Sequence, residues 1–315
     1  MGKLMNPNSF RHALIAGLLT ATSGGPVAAA DCAGLQRVLD AHSEEAGQMR
    51  AYAPSAGGAL LFLDAMTLDA DGAPKAYHPN DHDPAHPNRC PGTGGLGLDC
   101  PANAGYPEGD FAFAACPSGG QVPCDAHGHA LQGPQDQAPG FLVSATSFQA
   151  QPVWLQKNHV DASVVPYVAL PGGDTFRAAA TAAGVAKIAG QIGVVYDRKT
   201  RKMVPVMVGD TSSRIGSRFA HLGEGSIALT RELRGKDNPR NQSISDENIL
   251  VVIFAGTPVA KTSPLFAGTA EGKATAMTEI AAEANRRLTE HGGAEWLAAC
   301  AEAIANTDAV ASSNQ

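Results

Sequence analysis

The sequence predicts a β-rich α+β fold: a single domain with a small β-barrel core, a long disulfide-stapled loop and terminal α-helices. Short runs rich in Val and Ile recur from residue 142 onward, and turn residues bound them, as is typical of strands. The region 72–141 is rich in Gly, Pro, Asn and Asp and holds four of the six cysteines. Near the C-terminus the apolar period becomes that of a helix. An Asp that ends one strand and a Glu that begins another would suit a six-stranded barrel of the double-psi kind.

The first 30 residues have the pattern of a secretory signal peptide. Lys3 and Arg11 precede an apolar run, and the alanines at 28–30 form a small-residue cleavage site. Glycine and proline interrupt this run, which is too short to span a bilayer. We therefore expect a secreted protein, in the periplasm or the medium, whose residues 31–315 form a single domain. Its core would span about 58–256 and its C-terminal helices about 270–306.

The charge of the chain is acidic. The formal net charge is -7, and the predicted signal peptide holds two of the 23 basic residues and no acid, so the mature chain carries -9. A negative surface disfavours nucleic acid and anionic membranes as partners and suits a cationic substrate. Solubility alone would also account for this charge. The oligomeric state is not predicted.

The six cysteines all lie in the predicted mature chain. An even number in an exported protein predicts up to three disulfides, with fifteen possible pairings. Four of them fall within 35 residues and would staple a loop, whereas Cys32 and Cys300 would tie the two ends of the fold together. A zinc site is the alternative, which the absence of a CxxC pair disfavours.

The elements follow from local periodicity. Leu35, Val38 and Leu39 have helical spacing, so we expect an N-terminal helix. The segments LLFL and MTLDA are candidates for short strands. Six more strands are predicted in the segments FLVSATSF, VVPYVAL, IAGQIGVVY, MVPVMVG, SIALT and ILVVIFAG. The four residues from Asp197 to Thr200 should form a hairpin turn.

The C-terminal region predicts two helices. The apolar face of the first is formed by Met277, Ile280, Ala281, Ala284 and Leu288. The glycine pair at 292–293 should end it, and a last short helix should carry Trp296, Leu297 and Cys300.

Two carboxylates stand out for chemistry. Asp210 directly follows the predicted strand MVPVMVG, and one residue separates Glu224 from SIALT. A carboxyl group at the mouth of a β core is partly desolvated, which raises its pKa and makes it a usable acid near neutrality. Two such groups can face one gap, as glycosidases require. In the alternative interpretation, Asp210 caps a turn and Glu224 pairs with Arg214 or Arg218.

The segments VVPYVALPGG, IGVVYDRKTRKMVPVMVGDT, GEGSIALTREL and ILVVIFAGTP resemble, in this order, the signature blocks of glycoside hydrolase family 75, the fungal-type chitosanases and their bacterial relatives. MTLDADG is similar to that family's Asp-x-Asp-x-Asp-Gly segment, and the resemblance covers about residues 58–256. It implies a catalytic domain that hydrolyses β-1,4 bonds between glucosamine units with inversion. Glu224 would be the general acid and Asp210 the general base, with neither a cofactor nor a metal. Ser212-Ser213 and Gly225 depart from the family's Asn-Gly and Ala.

The resemblance also suggests which residues bind the substrate. Chitosan carries an ammonium group on each deacetylated sugar, which carboxylates lining a groove would attract. The residues predicted to bind substrate are Asp69, Asp71, Asp161, Tyr167 and Thr211. Asp69 and Asp71 lie in DADG, a sequence that is also typical of a tight turn.

Two further functions remain open at this point. His78, His82 and His86, with His127 and His129 later in the chain, could bind zinc or copper in a metal-dependent hydrolase. The same histidines could instead lie in a solvated loop. The other further function is that of a non-catalytic polysaccharide-binding protein on the same fold.

Overall fold

The structure is a computed structural model that describes residues 32–44, 47–81, 96–100, 112–212, 214–215 and 221–313. The predicted signal peptide lies outside the described residues. Among the helices of the described part, none is long and apolar enough to cross a membrane.

Eight strands, four α-helices and four short 3-10 helices make up the regular structure of the described residues. The strands are β1 (Gln36–Ser43), β2 (Gly47–Ala53), β3 (Ala59–Asp69), β4 (Tyr167–Pro171), β5 (Ile192–Asp197), β6 (Met203–Ser212), β7 (Glu224–Ser226) and β8 (Ser243–Phe254). The helices are α1 (Asp174–Ala182), α2 (Ile227–Arg234), α3 (Ala270–Glu290) and α4 (Gly293–Ser313).

The strands form one sheet in the order β1-β2-β3-β7-β4-β6-β5-β8, and β8 also pairs with β3. Six strands, from β3 through β7, β4, β6 and β5 to β8, therefore form a closed ring of pairings, so each of them has a neighbour on both sides. The hairpin of β1 and β2 extends from β3 outside this ring. The β-rich class is confirmed, while the double-psi barrel stays a prediction.

The alternation of side chains along the strands divides the core into two clusters. Leu61 and Tyr167 belong to the cluster that Ile280 of α3 and Leu297 of α4 cover. The neighbouring strand residues Phe62 and Val168 belong to the other cluster, which α1 and α2 cover. The predicted C-terminal helices are thus confirmed, although α4, at 21 residues, is not short.

The N-terminal helix prediction is wrong, because the segment forms strand β1. A shift in register between Arg37 and Leu39 interrupts the pairing of β1 with β2. The extra residue at this bulge, Val38, breaks the period of two that strands normally show. The bulge allows two adjacent apolar residues, Val38 and Leu39, within one strand. Together with Leu35 they have the spacing that is typical of a helix.

Two of the predicted strands are also wrong. SIALT contributes only Ser226 to β7 and then enters α2, whose N-cap is the Ser226 hydroxyl, which accepts a hydrogen bond from the Leu229 N–H at 3.2 Å. Gly235, in the left-handed conformation, ends the helix. The segment FLVSATSF makes only isolated bridges, such as the one between Phe113 and Ser144.

The structure contains the expected bond between Cys32 and Cys300 and one pairing in the loop that the sequence left open. Cys32 binds Cys300 with a Cα–Cα distance of 5.0 Å, and Cys116 binds Cys124 across eight residues of sequence. Cys100 is also disulfide-bonded. The first bond fixes the start of the described chain to helix α4.

Removing the Cys32–Cys300 bond should destabilise the protein strongly. In the loop-entropy view, a bond that closes 268 residues constrains the unfolded chain more than one that closes eight. The double variant Cys32→Ala/Cys300→Ala should lose about 2–5 kcal/mol of unfolding free energy, measured by urea titration. The matched variant Cys116→Ala/Cys124→Ala should lose less; equal losses would contradict the expectation.

Candidate active site

Asp210 and Glu224 lie on opposite sides of strand β4. Ala169 of β4 is in register with Asp210 of β6 on one side and with Glu224 of β7 on the other. Residues opposite one another in a sheet point to the same face, so both carboxyl groups project from one face with the small Ala169 side chain between them. Two inter-strand spacings place their Cα atoms about 10 Å apart. This separation suits two carboxyl groups that act from opposite sides of one bond.

A β-bulge at Gly209 sets the direction of Asp210. Val168 pairs with Val208 and Ala169 pairs with Asp210, so Gly209 is the extra residue of β6. Without it, Asp210 would share the face of Val208; with it, Asp210 moves to the face of Ala169. A Cβ atom on Gly209 would lie 2.7 Å from Cγ of Tyr167, so only glycine fits at this bulge.

Backbone N–H groups hold the Asp210 carboxylate. Its Oδ1 accepts hydrogen bonds from the N–H of Ser147 at 2.8 Å and from that of Thr211 at 2.6 Å. Asp210 is only 6% exposed. The first of these bonds fixes the loop that contains Ser147 against the end of β6, so Asp210 does more than cap its own turn.

The Glu224 carboxyl group has neither a hydrogen-bond nor an ion-pair partner within the described part of the chain, and Glu224 is partly buried. Arg214 therefore does not pair with it, and Arg218 lies outside the described residues. A partly buried acid that no donor or cation compensates favours its neutral form.

Asp69 and Asp71 approach Asp210 from the end of β3. Carboxylate oxygen atoms of these three residues lie within 4.8 Å of one another. Asp69 accepts a hydrogen bond from the Asp71 N–H at 2.8 Å, and the hydroxyl of Tyr77 donates to Asp71 Oδ1 at 2.7 Å. The parallel pairing of β3 with β7 brings Asp69 next to the strand that carries Glu224.

All four acids have raised pKa values. Burial, and then the charge of Asp69, raise the pKa of Asp210 to about 7 and that of Glu224 to about 8. Burial raises the pKa of Asp69 to about 6, and burial with the charges of Asp69 and Asp210 raises that of Asp71 well above its usual range. The N–H donors to Asp210 favour its ionised form, and Glu224 has none, so Asp210 loses its proton before Glu224 does.

These pKa shifts predict that stability falls as pH rises. Unfolded Asp and Glu ionise near their ordinary values of 3.8 and 4.5, whereas folded Asp210 and Glu224 keep their protons up to about pH 7 and 8. Because the folded state binds more protons in this window, its extra stability is complete below about pH 4 and is lost as pH rises to about 8.

Ionisation of Asp210 or Glu224 lowers the unfolding free energy by at most about 1.4 kcal/mol per pH unit between about pH 4 and 8. Urea unfolding at pH 5.5 and pH 8 should show the loss, and the variant Glu224→Gln should show a smaller one. Stability that increases between these two pH values would contradict the expectation.

The other residues predicted to bind substrate lie in different surroundings. Thr211 is exposed beside Asp210. Tyr167 is fully buried, and its hydroxyl donates to the backbone oxygen of Asp71 at 2.7 Å. Asp161 is buried in an ion pair with Lys273 at 2.6 Å, which joins its loop to α3. The structure therefore brings Asp69, Asp71 and Thr211 to the carboxylate pair, and uses Tyr167 and Asp161 as internal supports.

The histidines do not gather at this site in the described part of the chain. His129 Nδ1 lies 3.1 Å from a carboxylate oxygen of Asp125, and the His78 ring packs edge-on against Phe141. His82 and His86 lie outside the described residues. Among the described residues, the group with the spacing of a metal site is Asp69, Asp71 and Asp210. We assign no metal to it.

Sequence reasoning missed the residues that build the site. Gly209 carries a recognisable signal, because a glycine inside a strand pattern often marks a bulge. Ser147, Ala169 and Tyr77 carry none, since their roles depend on contacts with residues distant in the sequence.

Glycoside hydrolases use a pair of carboxyl groups that flank the scissile bond. Asp210 and Glu224 form a pair on one face of the sheet with β4 between them, and burial raises the pKa of both. The model of the family described as fungal chitosanase of glycosyl hydrolase group 75 matches residues 121–290, more than half of the chain. The chain belongs to this family. A comparison with curated proteins found no match.

Proposed function

We propose that this chain is a secreted endo-chitosanase that hydrolyses β-1,4 bonds between glucosamine units with inversion, and that residues 31–315 form its single catalytic domain. The observation that carries the proposal is the placement of Asp210 and Glu224 on either side of Ala169. Export is supported by the signal-peptide pattern of residues 1–30 and by the disulfides.

The two carboxyl groups have different roles. Glu224, which retains its proton to higher pH, gives it to the leaving oxygen of the glycosidic bond. Asp210, held by two N–H donors, accepts a proton from the water that attacks the anomeric carbon. An inverting pair needs its carboxyl groups about 6.5–9.5 Å apart to admit that water, and strands separated by one neighbour allow such a distance.

A cationic substrate suits the charge of the site. Within the described residues, no Lys or Arg side chain pairs with Asp69, Asp71, Asp210 or Glu224. Burial is the main reason why their pKa values rise, and the repulsion between these uncompensated acids adds to it. The ammonium group of a glucosamine unit would relieve this repulsion, whereas a neutral glycan would not.

The test is reducing-sugar release from soluble chitosan by purified residues 31–315, with and without chelator, together with the anomer formed first, observed by NMR. Release that survives the chelator and gives the α-anomer supports the proposal. Release that stops with the chelator would favour a metal-dependent hydrolase. Chitosan pull-down without product, even at long incubation, would identify a binding protein.

A further inference from the structure

Asp71 is fixed in place at three points beside the proposed base. Its N–H donates to Asp69 Oδ1 at 2.8 Å, and its backbone oxygen accepts from the Tyr167 hydroxyl at 2.7 Å. Its Oδ1 accepts from the Tyr77 hydroxyl at 2.7 Å. Because both the backbone and the side chain are anchored, the direction of the Asp71 carboxyl group is defined by the fold and does not depend on a ligand.

The spacing between Asp71 and Asp210 suits a single water molecule. Their carboxylate oxygen atoms lie within 4.8 Å of each other. A water that forms hydrogen bonds of about 2.8 Å with two oxygens at this separation makes an angle of about 120° or less between them, close to tetrahedral. Asp69 is also near, but it is buried, whereas Asp71 is partly exposed.

We propose that Asp71 is a further catalytic residue, which together with Asp210 holds the nucleophilic water. This inference rests on the proposed function. The water has two hydrogens: one points to Asp210, which takes it as a proton, and the other forms a hydrogen bond with Asp71. This leaves an oxygen lone pair of the water directed at the anomeric carbon. A carboxyl group can accept this hydrogen bond whether or not it is protonated.

Hydrolysis replaces one bond at the anomeric carbon with another. The water oxygen forms a bond to the anomeric carbon while the bond from that carbon to the leaving sugar oxygen breaks. One water proton passes to the Asp210 carboxylate, and the Glu224 proton passes to the leaving oxygen. Asp71 neither gains nor loses a proton. Solvent then takes the proton from Asp210 and returns one to Glu224.

The test separates this role from that of a substrate contact. In Asp71→Asn the single amide oxygen is used by the Tyr77 hydroxyl, so an NH2 donor replaces the oxygen that would accept from the water. This variant should lower kcat on chitosan by about 10²-fold, the usual consequence of a misplaced reactant, while KM stays within about threefold. Asp174→Asn is the matched control, because it makes the same change of charge on the exposed start of α1 and should leave both constants unchanged. Circular dichroism and the unfolding midpoint establish that the variants fold.

A second variant keeps the test decisive if Asp71→Asn does not fold. Tyr77→Phe removes only the hydroxyl that orients Asp71, and should lower kcat about tenfold with KM unchanged. If the wild type releases the α-anomer but a variant shows a higher KM with unchanged kcat, or no change in either constant, the role proposed for Asp71 is wrong. The proposed function would still stand. A wild type that releases no sugar would overturn the proposed function and this inference together.

Discussion

Replacing Glu224 with glutamine is expected to lower kcat on chitosan by about 10²–10⁴-fold, the usual contribution of a general acid. Glutamine keeps the shape and the polar end of the side chain but has no proton to give to the leaving oxygen. The fold should persist, because the Glu224 carboxyl has no hydrogen-bond partner among the described residues whose loss would destabilise it. The measurement is initial-rate kinetics by reducing-sugar release, with the unfolding midpoint as a check on folding.

Glu279→Gln provides the matched control for this variant. This variant makes the same chemical change at an exposed position of α3, so kcat should be unaffected. Turnover by Glu224→Gln at the wild-type rate would remove Glu224 from the mechanism. Loss of turnover in both variants would instead indicate a general effect of charge on the binding of a cationic polymer.

Gly209→Ala should damage both stability and catalysis. The added Cβ would lie 2.7 Å from the ring of Tyr167, which is fully buried and hydrogen-bonded, so the bulge has to shift. Overpacking of this kind costs about 1–3 kcal/mol of unfolding free energy. Because Asp210 is the next residue, the shift should also displace the proposed base and lower kcat by about 10²-fold. Urea unfolding and chitosan kinetics measure the two effects.

The control for this substitution is Gly133→Ala. A Cβ on Gly133 would make ordinary contacts of 3.6 Å with Asp136 and 4.0 Å with Pro123, so this variant should retain stability and activity. If Gly209→Ala behaved like Gly133→Ala, the bulge would not be what directs Asp210, and the explanation of the site geometry would fail.

The sequence was informative where one local pattern decides the structure. The Val- and Ile-rich runs predicted β4, β5, β6 and β8, because the residue types of a run are enough to identify it as a buried strand. The error at SIALT arose because Ser226 both ends a strand and caps a helix. Two signals of α2 were present: serine is preferred at N-cap positions, and Gly235 lies eight residues after the first residue of the helix. The error at Val38 arose because a bulge changes periodicity without changing composition.

The site was predictable only in part for a related reason. Asp210 and Glu224 could be selected because each adjoins an apolar run, but neither residue reveals that β4 lies between them. That order results from a crossover in the sheet, which no local pattern encodes. Likewise, the composition around Asp161 resembles that of a binding loop, and only the fold shows that Lys273, 112 residues away, neutralises it.

The Cys32–Cys300 bond also determines what a single proteolytic cut can do. It joins residues near both ends of the described chain, so the polypeptide between them is a covalently closed ring. A protease that cuts this ring once, for example at the exposed residues around Gln135, opens it but releases no fragment. The two pieces stay tethered until the bond is reduced, so a single cut of this kind does not separate them.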